Sequence, residues 1–282
     1  MEKQPMKPAM CAAFDYTIPF AQVIPMIQHA GFEVVSIGAR PQHSGYHTEE
    51  GRARIKKLIV ENGLEIDSVH APFPEGDQLC SLDETKRMES LRQCKIAADA
   101  AQDLNVGVIV IHLDKGNPDP HIQNQIIDQG IKSIGTLATY AIKKGIKVAI
   151  ENGMGQTAVL DRILTEFSED PIGFCYDSGH ENVDQTTFRV LQKHGHRLLT
   201  VHLHDNLGSS DTHTLPYEGN IDWDRFRRIF HGLGYSGNLL LEADIANSQF
   251  KDIAVFLAEA RKRAERLLQC PVKDHKSQGQ IV

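Results

Sequence analysis

Six strand-like runs of this 282-residue chain end in a residue that can bind a metal or move a proton: His70, His112, Glu151, Asp177, His202 and Glu242. Carboxylates and imidazoles are ordinary ligands of Mn²⁺, Mg²⁺, Co²⁺ and Zn²⁺, and the same groups act as general acids and bases. The preceding runs, residues 64–69, 106–111, 148–150, 174–176, 199–201 and 239–241, all have strand-forming character. One acid or histidine after such a run is commonly structural. A series of six spread through the chain points to a single site built from many strand ends.

The elements that must position these residues alternate. Candidate strands cover 9–14, 32–37, 64–70, 106–112, 146–151, 172–176, 199–203 and 238–242. Several are almost unbroken apolar runs, as parallel strands covered on both faces require. Amphipathic segments lie between them. Ser81 and Glu84 have capping-box spacing before a helix with Met88, Leu91, Cys94 and Ala98 on its apolar face. Ile122, Ile126, Ile131, Ile134 and Ala138 mark a second long helix. Gly31, Gly63, Gly145 and Gly234 stand where a helix would end before the next strand. Eight such units predict an α/β fold, a single (β/α)₈ TIM barrel over 1–282 with its core at about 9–266 and a polar tail at 270–282. A doubly wound sheet lacks support, because no G-x-G-x-x-G follows the first strand.

In such a barrel the C-terminal strand ends converge on one face. Glu151, Asp177, His202 and Glu242, from strands five to eight, form a set suited to one divalent ion, with His70 and His112 on the adjacent wall. His180, in Asp-Ser-Gly-His, and Asp211 and His213, in Asp-Thr-His, are further candidates. His204 shares the face of His202 by strand alternation and is an alternative ligand. Arg40, just beyond strand two, is placed to contact an anionic substrate. His29, His43, His194 and His231 fall on helices or loops and are expected at the surface.

Composition narrows the partners. A net charge of −7 gives no overall attraction to nucleic acid. The five cysteines are scattered without a C-x-x-C pair, so neither a disulfide framework nor a thiolate zinc site is indicated. No run approaches the ~20 apolar residues of a membrane span, and residues 1–9 lack an apolar leader core. A cytoplasmic protein with a small-molecule partner is expected. Oligomeric state, a homo-oligomer included, is left open.

The strings Ser-Val-His-Ala-Pro-Phe (68–73), Ile-Glu-Asn (150–152), Tyr-Asp-Ser-Gly-His (176–180), Val-His-Leu-His-Asp-Asn (201–206), Asp-Thr-His (211–213) and Glu-Gly-Asn-Ile-Asp-Trp (218–223) resemble the xylose-isomerase-like TIM barrel superfamily. That group contains sugar isomerases and epimerases as well as endonuclease IV-type apurinic-site nucleases. The resemblance spans about residues 9–266. In the epimerase branch it implies one ion held by Glu151, Asp177, His202 and Glu242, with His180 touching substrate. There the two glutamates remove and return a proton α to a carbonyl while the metal polarises the carbonyl and enediolate oxygens. In the nuclease branch it implies up to three zinc ions, with His70, His112, His180, Asp211 and His213 joining the ligands.

Local sequence ranks these readings. After His70 the chain reads Ala-Pro-Phe-Pro-Glu-Gly-Asp, unlike the aromatic and Asn-rich DNA-contacting segment of the nucleases. His-Leu-His-Asp-Asn-Leu replaces their His-Leu-Asn-Asp-Ser-Lys, and Asp-Thr-His lacks their Arg. The leading expectation is therefore a divalent-metal sugar or sugar-phosphate isomerase/epimerase of carbohydrate metabolism, with Glu151 and Glu242 as its acid–base pair. His70, His112, His180 and Arg40 would contact substrate. A multinuclear zinc phosphodiesterase acting on abasic DNA and a non-catalytic metabolite-binding barrel are the alternatives.

Overall fold

Apolar strands that bury both faces need helices on one side and one another on the other, and this chain meets both needs by closing its sheet. The computed structural model describes residues 5–113, 119, 121–167 and 170–270. Its strands are β1 (Pro8–Cys11), β2 (Val34–Ile37), β3 (Glu65–His70), β4 (Val108–Ile111), β5 (Lys147–Glu151), β6 (Ile172–Asp177), β7 (Leu198–His202) and β8 (Leu239–Leu241). Its helices are α1 (Phe20–His29), α2 (Pro41–Ser44), α3 (Glu49–Glu61), α4 (Glu84–Asp103), α5 (Gln123–Lys144), α6 (Thr157–Glu166), α7 (Ser178–Val183), α8 (Arg189–His194), α9 (Trp223–Gly232) and α10 (Ile253–Leu268). All strand pairs are parallel, in the order β7-β6-β5-β4-β3-β2-β1-β8. Beyond the strand ends, Leu203 closes the ring. Its N–H donates to the Leu240 carbonyl at 2.9 Å, and the Glu242 N–H donates to its carbonyl at 3.1 Å. The result is a (β/α)₈ barrel.

Each predicted strand is present, most with shorter bounds. β8 stops at Leu241 and β4 at Ile111, so Glu242 and His112 stand one residue beyond their strands. Gly31, Gly63, Gly145 and Gly234 all have φ between 62° and 88°, the left-handed backbone that ends a helix at low cost only for glycine. Short polar side chains start several helices. Thr48 accepts from Gly51 N at 3.0 Å ahead of α3, and Asp222 and Asp252 cap α9 and α10 in the same way.

Three local expectations are corrected. The cap of α4 is Asp83, whose carboxylate accepts from Thr85 N and Lys86 N; Ser81 instead accepts from Asp83 N in the preceding turn. On the same helix Met88 is 48% exposed and Arg87 is buried. The Arg87 guanidinium is satisfied by Glu84 at 2.7–2.9 Å and by Ser133 Oγ at 2.9 Å, so the charged residue turns inward and the thioether outward. His194 is buried as well, with Nε2 2.5 Å from Asp161 Oδ1. The polar tail lies outside the described residues beyond Cys270. Among the described residues no helix is long and apolar enough to cross a membrane.

The long β7–α9 connection is organised by one buried carboxylate. Asp205 accepts from Asn206 N, Ile221 N, Tyr217 N and the Trp223 indole N–H, at 2.7–3.2 Å. Gly219 is required by the same knot, since a Cβ there would lie 2.3 Å from Asp205 Oδ1. Removing Asp205 strands these donors in a dry environment, at ~1–3 kcal/mol for each that stays unpaired. Asp205→Ala is expected to destabilise the protein by ~3 kcal/mol or more and lower Tm by ~10 °C. A thermal melt matching the parent would refute the assignment.

Candidate metal centre

Parallel strands alternate their side chains, so residues two apart on β4, β5 and β6 stack in layers inside the barrel. Val110, Ala149 and Cys175 form one small apolar layer. Directly above it, toward the C-terminal mouth, stand His112, Glu151 and Asp177. His70, His202 and Glu242 complete the ring from β3, β7 and β8.

Glu151 is the hub. It is 1% exposed and has four imidazoles around its carboxylate. Oε1 lies 3.3 Å from His112 Nε2 and 3.2 Å from His180 Nδ1; Oε2 lies 3.4 Å from His70 Nε2 and 2.9 Å from His202 Nδ1. His202 Nδ1 is also 3.0 Å from Glu242 Oε2. Despite this proximity, Glu151 Oε2 and His202 Nδ1 are buried without a hydrogen bond. Donor atoms that crowd together without hydrogen-bond geometry are placed as ligand atoms are placed. Ligand atoms of Glu151, Asp177, His202 and Glu242 lie within 4.8 Å of one another, and this set fits a divalent cation.

Two flanking groups meet the same test: His70, His112 and Glu151, and His180, Asp211 and His213. Asp211 Oδ2 lies 3.2 Å from His180 Nε2 and 2.9 Å from His213 Nε2, while Asp211 Oδ1 has no hydrogen-bond partner. Backbone carbonyls orient the rings. His70 Nδ1–H donates to Ala71 O at 2.7 Å and His213 Nδ1–H to Glu242 O at 2.8 Å, which leaves Nε2 of each ring facing the site. The structure thus gathers all nine residues anticipated around the mouth.

The neighbours of Asp177 explain most of the recognisable strings. Its carboxylate caps α7 by accepting from His180 N at 2.6 Å. The Asn152 side chain clamps the Asp177 backbone in both directions at 2.8 Å. His204 Nε2 lies 3.0 and 3.1 Å from the two Asp177 oxygens, so it supports a site carboxylate and stands outside the donor groups. The His204 ring also stacks on His213 at 3.8 Å. It fills the space over Gly179, where a Cβ would lie 2.0 Å from its Cε1. Asn152 was visible in Ile-Glu-Asn, but nothing in that string told it apart from a loop residue.

Above the ring is a cavity of about 640 Å³. Besides the site residues, Cys11, Tyr16, Phe73, Asp77, Met154 and Asp244 line it. They come from loops and from β1; Phe73 and Asp77 fall in strings that stood out in the sequence, but none of the six was marked there as a site residue. Arg40, the anticipated anion contact, is exposed and packs its guanidinium 4.2 Å over the Tyr16 ring; Tyr16 and Ala39 form the cavity wall there.

Charge couples the cluster. Burial alone would raise the Glu151 pKa, but His202 and His112 hold it well below the carboxylate range. Burial likewise opposes the low Glu242 pKa, which His202 brings to about 2. Burial works against protonation of the imidazoles, yet nearby anions push His180 and His202 well above the usual value, and Asp211 brings His213 to about 10. Without an ion, protons hold the carboxylates together.

The family follows from this fold and site. The model of the Xylose isomerase-like TIM barrel family matches residues 25–265, and the chain belongs to that family. Among its relatives, an inosose dehydratase from Erwinia tasmaniensis is 26% identical over 256 residues, covering 80% of this chain and 82% of that protein. An uncharacterized protein of Sinorhizobium fredii, y4fM, is 25% identical over 244 residues, covering 77% and 78%. A solved D-tagatose 3-epimerase-like protein has a TM-score of 0.78 at 22% identity, covering 93% of this chain and 98% of that one. A D-allulose 3-epimerase from Methylomonas sp., solved with D-allulose, has a TM-score of 0.76 at 18% identity, covering 93% and 97%. At these identities the two structures share the fold.

Because protons occupy the metal-free cluster, an entering ion must displace them. Affinity for Mn²⁺ is expected to rise with pH, because His202, one of the four donors, must give up the proton that the neighbouring acids hold on it. Calorimetry in buffers of different ionisation enthalpy should show protons released on binding. Binding without proton release would contradict the protonated cluster.

Proposed function

We propose that this protein is a divalent-metal-dependent sugar isomerase or epimerase that moves a proton α to a carbonyl. The observation that carries this reading is the convergence of Glu151, Asp177, His202 and Glu242, with Glu151 and Glu242 lining the cavity and Glu151 Oε2 and His202 Nδ1 buried without a hydrogen bond. These four residues would hold the ion, and when bound it supplies Lewis-acid polarisation of neighbouring substrate oxygens. The relatives' names support the reading. Epimerisation of a ketose and dehydration of an inosose both draw on the acidity of a C–H bond beside a carbonyl.

The chain's own residues supply the proton transfer. Both glutamates line the cavity, and His202 Nδ1 lies 2.9 Å from one and 3.0 Å from the other. Both are held in their ionised form in the ion-free site, so one can accept the substrate's proton, while the one that returns a proton must first take it up from solvent. One glutamate takes the proton and the other returns one, so the configuration at carbon can invert. The His70 and His180 rings, oriented by backbone carbonyls, line the same space and would bind substrate hydroxyls, and His112 lies beside them.

Ketose incubated with the Mn²⁺-loaded protein in D₂O is expected to gain deuterium at the carbon next to the carbonyl. Glu151→Gln should cut that exchange by ~10²-fold or more while weakening metal binding without abolishing it, as read by elemental analysis. Turnover without solvent deuterium would argue against this route.

The two flanking donor groups favour a second reading, a multinuclear phosphodiesterase acting on abasic DNA. In that case two or three Zn²⁺ per chain and nicking of an abasic-site duplex are expected, with nicking abolished in Glu151→Ala. Failure to nick with Zn²⁺, Mn²⁺ and Co²⁺ each supplied would remove it.

A further inference from the structure

The cavity is asymmetric in a way that bears on substrate charge. Ligand atoms come from β3 to β8 and the loop after β7, whereas β1, β2 and their loops contribute Cys11, Ala13, Tyr16 and Ala39. Any part of a substrate not held over the ion lies against this second wall. The wall and its flanks carry acids in addition to the donor set. Asp77 is buried in the loop after β3, and Asp244 stands two residues beyond Glu242. Five carboxylates therefore line the cavity: Asp77, Glu151, Asp211, Glu242 and Asp244. No lysine or arginine lines it among the described residues. Arg40, beside the second wall, rests on the Tyr16 ring and leaves that ring and Ala39 as the lining.

We infer that the site selects an uncharged polyol carbonyl compound, a free ketose or keto-cyclitol, over phosphorylated or carboxylated sugars, with Asp77 and Asp244 accepting hydrogen bonds from its distal hydroxyls. This rests on the isomerase/epimerase reading of the same site. A carboxylate accepts from a hydroxyl with a strong, charge-assisted bond. It repels a phosphate, and in a cavity walled by protein that repulsion is poorly screened. One divalent ion offsets Glu151 and Glu242, and the His180 and His213 rings offset Asp211, which leaves Asp77 and Asp244 as the remaining acids beside the second wall. Phe73, Met154 and Leu113 add apolar surface for the C–H face of a sugar ring.

The test uses the Mn²⁺-loaded full chain with D-tagatose and D-allulose against their 6-phosphates. Solvent deuterium exchange reports chemistry, and ligand-observed NMR in the same samples reports binding. The expected result is exchange and binding with the free sugars, and at least ~10-fold lower kcat/KM and affinity for the esters. In Asp244→Lys the preference should shift toward the esters by ~10-fold or more. Asp244→Asn, which keeps an oxygen for Ala246 N (2.7 Å in the parent), controls for loss of the loop. Esters that exchange or bind as well as the free sugars overturn the inference and leave the isomerase reading standing. Free sugars that bind preferentially without exchange do the opposite. If neither is bound or exchanged, both fail.

Discussion

A carboxylate stripped of water keeps its charge only where something positive replaces the solvent, and Glu151 at 1% exposure states that condition most severely. Four imidazoles from β3, β4, β7 and α7 converge on its two oxygens. The His70, His180 and His202 rings are then fixed from behind or joined to a further acid, so the requirement spreads outward. His70 leans on Ala71 O, His180 connects to Asp211, and Asp211 connects to His213, which leans on Glu242 O. The upper barrel is a set of dependencies radiating from one buried anion. The apolar layer of Val110, Ala149 and Cys175 beneath leaves the charges nowhere to turn but toward the mouth.

The family's strings divide between chemistry and scaffold. In His-Leu-His-Asp-Asn, His202 faces the site, His204 braces Asp177, Asp205 knots the following loop and Asn206 donates to Gly179 O. In Asp-Ser-Gly-His, Asp177 is at once a candidate ligand and a helix cap, while Gly179 leaves room for the His204 ring. Much of what makes such sequences recognisable therefore specifies how one mouth is held open and says little about the reaction performed there.

Strand count, strand order and the identity of the ring residues were legible because they depend on local pattern. An apolar run that ends in an acid or imidazole needs no knowledge of the rest of the chain. What was hidden depends on contacts distant in sequence. Arg87 is buried because Ser133, 46 residues away, receives its guanidinium. His194 is buried because Asp161 waits 33 residues earlier. Asp83 wins the cap of α4 from Ser81 by a two-residue difference in where the helix begins. The cavity wall was the least legible part, since Tyr16, Phe73, Asp77 and Asp244 belong to loops with no periodicity to mark them.

The barrel's ring is not equally strong all the way round. β5 and β6 share a four-residue register, whereas β7 and β8 pack together but are joined by backbone hydrogen bonds only through Leu203, whose two bonds fall just past His202 and just before the Glu242 side chain. Those two residues stand on either side of the thinnest seam and belong to the same donor group. A cation gripped by both is thus also a clasp. Loading the site would stitch the last strand to its neighbour where backbone pairing is sparsest, and the circumference of the barrel would be completed partly by coordination chemistry.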